Sequence, residues 1–259
     1  MRFLADIGNS RLKLVGVDSG GQIVEQVSVA TEQPETWPPA IDQLGGLSAD
    51  AAWGISSVRP ESASILAHIL EEANLRSVRW FRRAADVPIR HHLDNLETAG
   101  ADRALAVLGC ISSFGLRDGA LVVMCGTALT VERITRCNTW QGGAIAPGWG
   151  PLASALHTRA AQLPLIEPPA VGQNPVPFGL NTREALTLGL RGMIVGGCRE
   201  LIRGLRQGLP SAAPIFWTGG DAAWLAPAVE GEAAQIVPDL VFRGLVHSLG
   251  WGADCETRI

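Results

Sequence analysis

The residues best equipped for chemistry lie near the amino end, in Asp6-Ile7-Gly8-Asn9-Ser10-Arg11-Leu12-Lys13. A polyphosphate cradle needs a tight turn with converging backbone N–H groups, small hydroxyl or amide side chains that donate, and a cation. Gly8, Asn9, Ser10 and Lys13 supply these. Asp6, at a strand end, is placed to hold Mg²⁺, a hard cation that takes a carboxylate together with phosphate oxygens. An ordinary hairpin would use the same Gly-Asn-Ser turn, so this motif alone decides nothing. A second copy, Gly126-Thr127-Ala128-Leu129-Thr130, changes the balance. Two hairpin turns carrying hydroxyls could grip a triphosphate from both sides, and positioning plus electrostatics is nearly all that phosphoryl transfer asks of a protein.

The third group is Gly100-Ala101-Asp102-Arg103 at the start of a helix. A cation in the first turn opposes the positive end of the helix dipole. Arg103 is tolerable there if it grips an anion, most simply a substrate carboxylate, in a two-pronged contact. Asp102 beside it could accept the proton of an attacking hydroxyl. A solvated Asp–Arg pair on a helix end is the plainer alternative.

These groups need strands and helices to place them. Arg2 to Ile7 reads as a buried strand, Gly8-Asn9-Ser10 as a turn, and Leu12 to Val17 as a returning strand, with a third strand near Ile23 to Val29. A strand at Ala51 to Ser56, a helix after Pro60 and a strand near Val78 to Phe81 continue the alternation. Apolar spacing from Thr98 to Phe114 is helical, with Leu105, Leu108 and Ile111 on one face. The opening then recurs: Ala120 to Met124 as a strand, Cys125-Gly126-Thr127 as the turn, Leu129 to Ile134 as the returning strand. A strand near Thr139 to Ala146 follows, then helices after Trp149 and Asn181, a strand at Ala213 to Trp217 and a helix from about Asp239. The Pro-rich stretch Leu165 to Pro177 reads as a surface loop. The repetition predicts a duplicated α/β unit with a cleft between its halves, domains 1–117 and 118–259.

Composition narrows the class. The 259 residues are 47% apolar and 18% charged, which suits a globular protein with a sizeable core. A net charge of −4 and scattered acidic residues give no reason to expect nucleic acid or an anionic membrane as partner. Cys110, Cys125, Cys137, Cys198 and Cys255 form an odd set without CxxC spacing, pointing to reduced thiols rather than a disulfide framework or a zinc site. The opening apolar run turns polar by Asn9, too soon for a signal peptide or a membrane span, so a cytoplasmic enzyme is expected. His91 and His92 are neighbours and on a strand would face opposite ways, which disfavours a metal pair. The eight tryptophans lack interleaved basic residues and read as core mass.

Taken together, Asp6-x-Gly-Asn-Ser-x-x-Lys13, Gly100-x-Asp-Arg103 and Gly126-Thr-Ala-x-Thr130 resemble, in order and spacing, the type III pantothenate kinases. Ile55-Ser-Ser-Val58, Gly142-Gly-x-Ile-x-Pro-Gly148, Leu163-Pro164, Asn181-Thr182, Thr218-Gly-Gly220 and Pro238-Asp-Leu240 with Gly244-Leu245 extend the resemblance along the chain. It implies the fold of the actin, sugar-kinase and heat-shock-chaperone superfamily: two duplicated ribonuclease-H-like domains with a nucleotide cleft between them. It implies ATP-dependent phosphorylation of pantothenate to 4'-phosphopantothenate, the first step towards coenzyme A. In that frame Asp102 is the general base, and Gly100, Ala101, Asp102 and Arg103 contact pantothenate. Asp6, Ile7, Gly8, Asn9, Ser10, Arg11, Leu12 and Lys13, with Gly126 and Thr127, bind ATP and its Mg²⁺. Thr182 reaches pantothenate from the partner side of a homodimer, although Asn181-x-x-Glu184 equally reads as a helix capping box with Thr182 a mere starter.

Three departures stand out. An aspartate that helps hold an activating K⁺ or NH₄⁺ is replaced by Met124, and a thioether does not hold a cation that wants hard oxygen ligands. Glu132 stands where aspartate is usual. The tyrosine lining the pantothenate pocket is absent, since the chain has no tyrosine, and Leu93 takes its place beside His92. Met124 keeps a second reading open, a non-catalytic transcription accessory factor on the same scaffold. A kinase for another small hydroxy-acid is a third.

Overall fold

The computed structural model describes residues 1–160 and 162–252. The chain divides into two compact units, Met1–Gly115 joined by the segment from Asp239 onward, and Leu116–Pro238.

In the first unit, β1 (Arg2–Ile7), β2 (Arg11–Val17) and β3 (Ile23–Ala30) form an antiparallel meander, and β4 (Ala52–Ser57) and β5 (Ser77–Phe81) extend it as parallel strands. The sheet order is β3-β2-β1-β4-β5. Central β1 buries Phe3, Leu4, Ala5 and Ile7, a near-continuous apolar run expected of a strand covered on both faces. Helices α1 (Trp37–Gln43), α2 (Pro60–Glu72) and α3 (Ala101–Ser113) belong to this unit. One core gathers Phe3, Ile7, Leu12, Leu14, Trp37, Ile41, Trp53, Ile55, Leu66 and Leu70.

The second unit repeats the plan. Strands β6 (Ala120–Cys125), β7 (Ala128–Ile134) and β8 (Trp140–Pro147) form the meander, and β9 (Ile215–Thr218) and β10 (Gln235–Ile236) run parallel to β6. Its order, β10-β9-β6-β7-β8, is the first order read from the other edge. Helices α4 (Trp149–Arg159), α5 (Thr182–Leu205) and α6 (Ala222–Glu230) pack with it around Leu121, Val123, Val131, Trp149, Leu190, Cys198 and Trp217.

Most expected elements are present within one or two residues of their anticipated ends. Two helices escaped the pattern: α1 carries Pro38-Pro39 in its first turn, and α6 contains Pro227. Proline lowers helical expectation from sequence; at the first turn of α1 it removes only an N–H that has no intrahelical partner, whereas Pro227 sits inside α6. The Pro-rich segment is irregular, but it is pinned by buried Ile166, whose carbonyl accepts from Trp149 Nε1 at 3.1 Å. Cys110, Cys125 and Cys198 are buried free thiols, Cys137 is an exposed one, and Cys255 lies outside the described residues. Burial raises the Cys110 and Cys125 thiols well above their usual range and Cys198 to about 12.

The larger correction concerns α7 (Leu240–Ser248), the last helix among the described residues. The expected second domain, running from 118 to 259, includes it, whereas it folds with the first unit. The reason is a reciprocal glycine crossing with α3. A Cβ on Gly244 would lie 2.1 Å from the Leu105 carbonyl oxygen, and one on Gly109 would lie 2.0 Å from that of Leu240. Backbone meets backbone there, which only glycine allows. Gly244→Ala should therefore cost about 1–3 kcal/mol through overpacking against an immovable carbonyl. A lowered thermal midpoint, with the fold's circular dichroism retained, is the expected reading.

Candidate active site

Asp6 occupies the penultimate position of β1. Strand register places it opposite Lys13 on β2 and level with Ser56 on β4. Helix α3 brings a second carboxylate close. Its N-cap, Gly100, has extended backbone angles, and buried Ala101, Ala104, Leu105 and Leu108 fix the helix face by face. Asp102 falls in the first turn, where a carboxylate favours the positive helix end. Its Oδ1 accepts from the Arg103 backbone N–H at 2.9 Å. Gly100 is needed for this placement, since a Cβ there would sit 2.5 Å from that same Oδ1.

Burial pushes the Asp6 carboxyl up to about 6. Lys13 pulls it down, the Asp102 carboxylate raises it, and the Ser56 hydroxyl lowers it. Two carboxylates thus approach each other with Lys13 as the facing cation. Mg²⁺ suits such a place, because it typically takes one or two carboxylates and completes its shell with phosphate oxygens and water. Among the described residues no group of three or more His, Cys, Asp or Glu side chains could form an all-protein cage. Asp6 is the residue that would hold the ion.

The turn between β1 and β2 is closed by Gly8 N–H donating to the Arg11 carbonyl at 3.0 Å. Thr31, just past β3, donates its hydroxyl to the Gly8 carbonyl at 3.1 Å and its N–H to the Ser10 carbonyl at 3.1 Å. Arg59, before α2, donates to the Asn9 carbonyl at 2.9 Å. Sequence reading named neither Thr31 nor Arg59, because 21 and 49 residues separate them from Ser10.

In the second unit, Gly126 and Thr127 occupy the corresponding hairpin turn. Gly126 N–H donates to the Ala128 carbonyl at 3.1 Å, and Thr127 accepts from Gly148 N–H at 2.9 Å. Gly219, with φ +96, touches Cys125 so closely that a Cβ would lie 2.2 Å from its carbonyl oxygen. Exposed Thr182 begins α5. The cap beside it is real: Asn181 Oδ1 accepts from Glu184 N–H at 3.0 Å, while Glu184 Oε2 accepts from Leu180 N–H at 2.8 Å.

The duplication makes Met124 the counterpart of Asp6, each two residues before the turn glycine. Where Asp6 has Lys13 and Ser56 beside it, Met124 has Thr130 and Thr218. The Thr130 hydroxyl is buried without a hydrogen-bond partner. Glu132 is buried and accepts from Trp140 Nε1 at 2.8 Å. A thioether supplies no hard oxygen where the resemblance expects an aspartate beside a monovalent cation, which leaves the Thr130 and Thr218 hydroxyls as the oxygens flanking that position. Leu93 is half-buried in the loop leading to α3, beside exposed His92.

The sequence pattern of type III pantothenate kinase matches residues 2–204. The chain is 36% identical over 255 residues to a type III pantothenate kinase of Chromobacterium violaceum, covering 95% of this chain and 98% of that one. It is 31% identical to another from Thermomicrobium roseum, with 95% of each covered. Among solved structures it is similar to the activator of 2-hydroxyisocaproyl-CoA dehydratase from Clostridium difficile with bound ADPNP, at 11% identity and a TM-score of 0.56 over 98% of this chain and 95% of that one. That likeness supports the fold alone, two mixed sheets flanked by helices in the manner of the actin-like ATPases.

The raised Asp6 carboxyl has a consequence for stability. Folding favours the protonated form, so this contribution is complete below the ordinary value of 3.8 and is lost as pH rises through about 6. Asp6→Asn removes the charge and should stabilise the fold at about pH 8 by roughly 1–2 kcal/mol, discounted for the water that reaches a half-buried group. At about pH 4 variant and wild type should melt together. A destabilised variant at the higher pH would contradict this account of the site.

Proposed function

The chain belongs to the type III pantothenate kinase family, whose reaction is the ATP-dependent phosphorylation of pantothenate on the way to coenzyme A, and we propose that it performs this reaction with Asp102 as general base. The observation that carries the reading is the meeting, within one unit, of Asp6 and Lys13 on a single hairpin with Asp102 on a helix some ninety residues further along.

In this scheme the Gly8–Ser10 turn and Lys13 bind the phosphates, and Asp6 holds the Mg²⁺ that screens their charge. In the second unit the same kind of turn, at Gly126 and Thr127, is a second phosphate-binding candidate. Asp102 orients the pantothenate hydroxyl and takes its proton as the bond to phosphorus forms, while Arg103 pairs with the substrate carboxylate. Its placement in a helix's first turn costs a little against the dipole, which an anionic ligand would offset. Leu93 lines the acceptor pocket by packing, without a phenol to donate. We place the enzyme in the cytoplasm, in keeping with its reduced buried thiols. Among the described residues no helix is long and apolar enough to cross a membrane.

We further propose a homodimer in which Thr182 serves the partner's acceptor pocket. Helix α5 supports this: of its 24 residues only Leu190, Ile194, Cys198 and Ile202 are buried, and Met193 stands exposed. Sedimentation equilibrium should give twice the chain mass, and a monomer at micromolar concentration would refute it.

Asp102→Asn keeps shape and loses the base, so turnover in a coupled ADP-release assay with pantothenate should fall by roughly 10²–10⁴-fold. Nucleotide affinity should stay near that of the wild type. The same assay in KCl, NaCl and NH₄Cl should give equal rates, because Met124 supplies no site for the ion. Nucleotide binding with no transfer in any salt would instead favour the non-catalytic reading, and transfer to a different hydroxy-acid alone would reassign the acceptor.

A further inference from the structure

The tethers on the first hairpin turn carry one step more, which rests on the reading that residues 6–13 hold the nucleotide. We infer that Arg59 is a positioning residue for the nucleotide phosphates, acting with Thr31 to fix which way the peptide groups of the Gly8–Ser10 turn face.

The peptide plane couples each carbonyl to the next N–H. In a trans peptide the carbonyl of one residue and the N–H of the next point in opposite directions, and among the described residues there are no cis bonds. The Gly8 carbonyl is held by the Thr31 hydroxyl at 3.1 Å, so the Asn9 N–H faces the other way. The Asn9 carbonyl is held by Arg59 Nη1 at 2.9 Å, so the Ser10 N–H does likewise. The Ser10 carbonyl is held in turn by the Thr31 N–H at 3.1 Å. Three consecutive carbonyls are therefore engaged by flanking elements, and the N–H groups of Asn9 and Ser10 are aimed away from those tethers. An exposed turn without such tethers can rotate its peptide planes, and a carbonyl swung toward a phosphate repels it where an N–H would bind.

Arg59 is suited to this by an otherwise unfavourable position. It is the N-cap of α2, where asparagine, aspartate, serine or threonine is the usual choice and a cation opposes the helix dipole. The backbone there is fixed separately: Arg59 N–H donates to Ser57 Oγ at 3.2 Å, and Ser57 Oγ donates to the Arg59 carbonyl at 3.1 Å. With its main chain secured, the side chain is free to span to Asn9, 50 residues earlier. The helix start consequently gains no side-chain cap from residue 59, and the turn gains a charged anchor.

The test is nucleotide affinity, read by titration calorimetry with a non-hydrolysable ATP analogue plus Mg²⁺, alongside steady-state kinetics. Arg59→Ala should weaken analogue binding and raise KM for ATP by roughly 10-fold, the worth of one charge-assisted hydrogen bond. KM for pantothenate and kcat should stay within about twofold, since Asp102 and its helix are untouched. Arg59→Lys, which keeps a donor and a charge, should recover part of the loss. Thr31→Val, removing the tether on Gly8, should shift analogue affinity in the same direction, and it serves as the second probe if Arg59→Ala does not fold. Unchanged analogue affinity in a folded Arg59→Ala, or an equal loss in pantothenate KM, overturns the inference. Calorimetry needs no acceptor, so a wild type that binds the analogue without phosphorylating pantothenate would sink the proposed reaction and leave this test standing.

Discussion

The candidate site depends on a carboxylate placed where ionisation is costly. Asp6 sits at the end of a strand buried on both faces, beside Lys13 and within reach of a second carboxylate, Asp102. Burial and like charge both favour its neutral form, and Lys13 only partly offsets them. Such an arrangement persists when the missing positive charge arrives with a ligand, here a divalent cation travelling with a polyphosphate. The surrounding architecture serves to hold this imbalance in place. The meander sets Lys13 across from Asp6, the parallel strand sets Ser56 alongside, and the reciprocal Gly109–Gly244 crossing fixes the helix that carries Asp102.

Duplication shows how little of that chemistry the fold itself requires. The second unit reproduces the strand order and the glycine turn, yet at the position of Asp6 it has Met124, flanked by Thr130 and Thr218. One topology therefore hosts a charged constellation in one copy and a nearly neutral one in the other. The same backbone plan provides a turn whose N–H groups can face an anion, while side chains decide whether a cation is held beside it.

The sequence made the repeated hairpins legible because a strand, a glycine turn and a returning strand are local patterns, and it made α3 legible because Leu105, Leu108 and Ile111 share a helical face. The motif residues were legible as candidates for the same local reason. Proline hid α1 and α6: at the first turn of α1 its cost vanishes, whereas Pro227 lies inside α6, where sequence alone argues against a helix. Arg59 and Thr31 were beyond reach, because an arginine before a proline and a threonine after a strand acquire meaning only when the sheet brings them to the Asn9 and Gly8 carbonyls. The membership of α7 in the first unit was hidden similarly: Gly244 stands out only as part of the family pattern, and its meeting with Gly109 has no trace in the sequence until two backbones are seen to touch.

That membership also bears on how the site is assembled. The second unit is inserted in sequence between α3 and α7, so the helix that bears Asp102 packs against a segment made more than 120 residues after it. During synthesis the meander of β1 to β3 can pair early, since its contacts are local, and the phosphate turn with Lys13 can form with it. Helix α3 cannot acquire its final support until α7 has emerged, because Leu105 and Gly109 meet Gly244 and Leu240 only then. The nucleotide-facing turn and the proposed base thus belong to one unit but not to one stage of folding. The contact that completes the unit is a glycine crossing with no room for a methyl group, which makes the placement of Asp102 depend on α7 as directly as on its own helix.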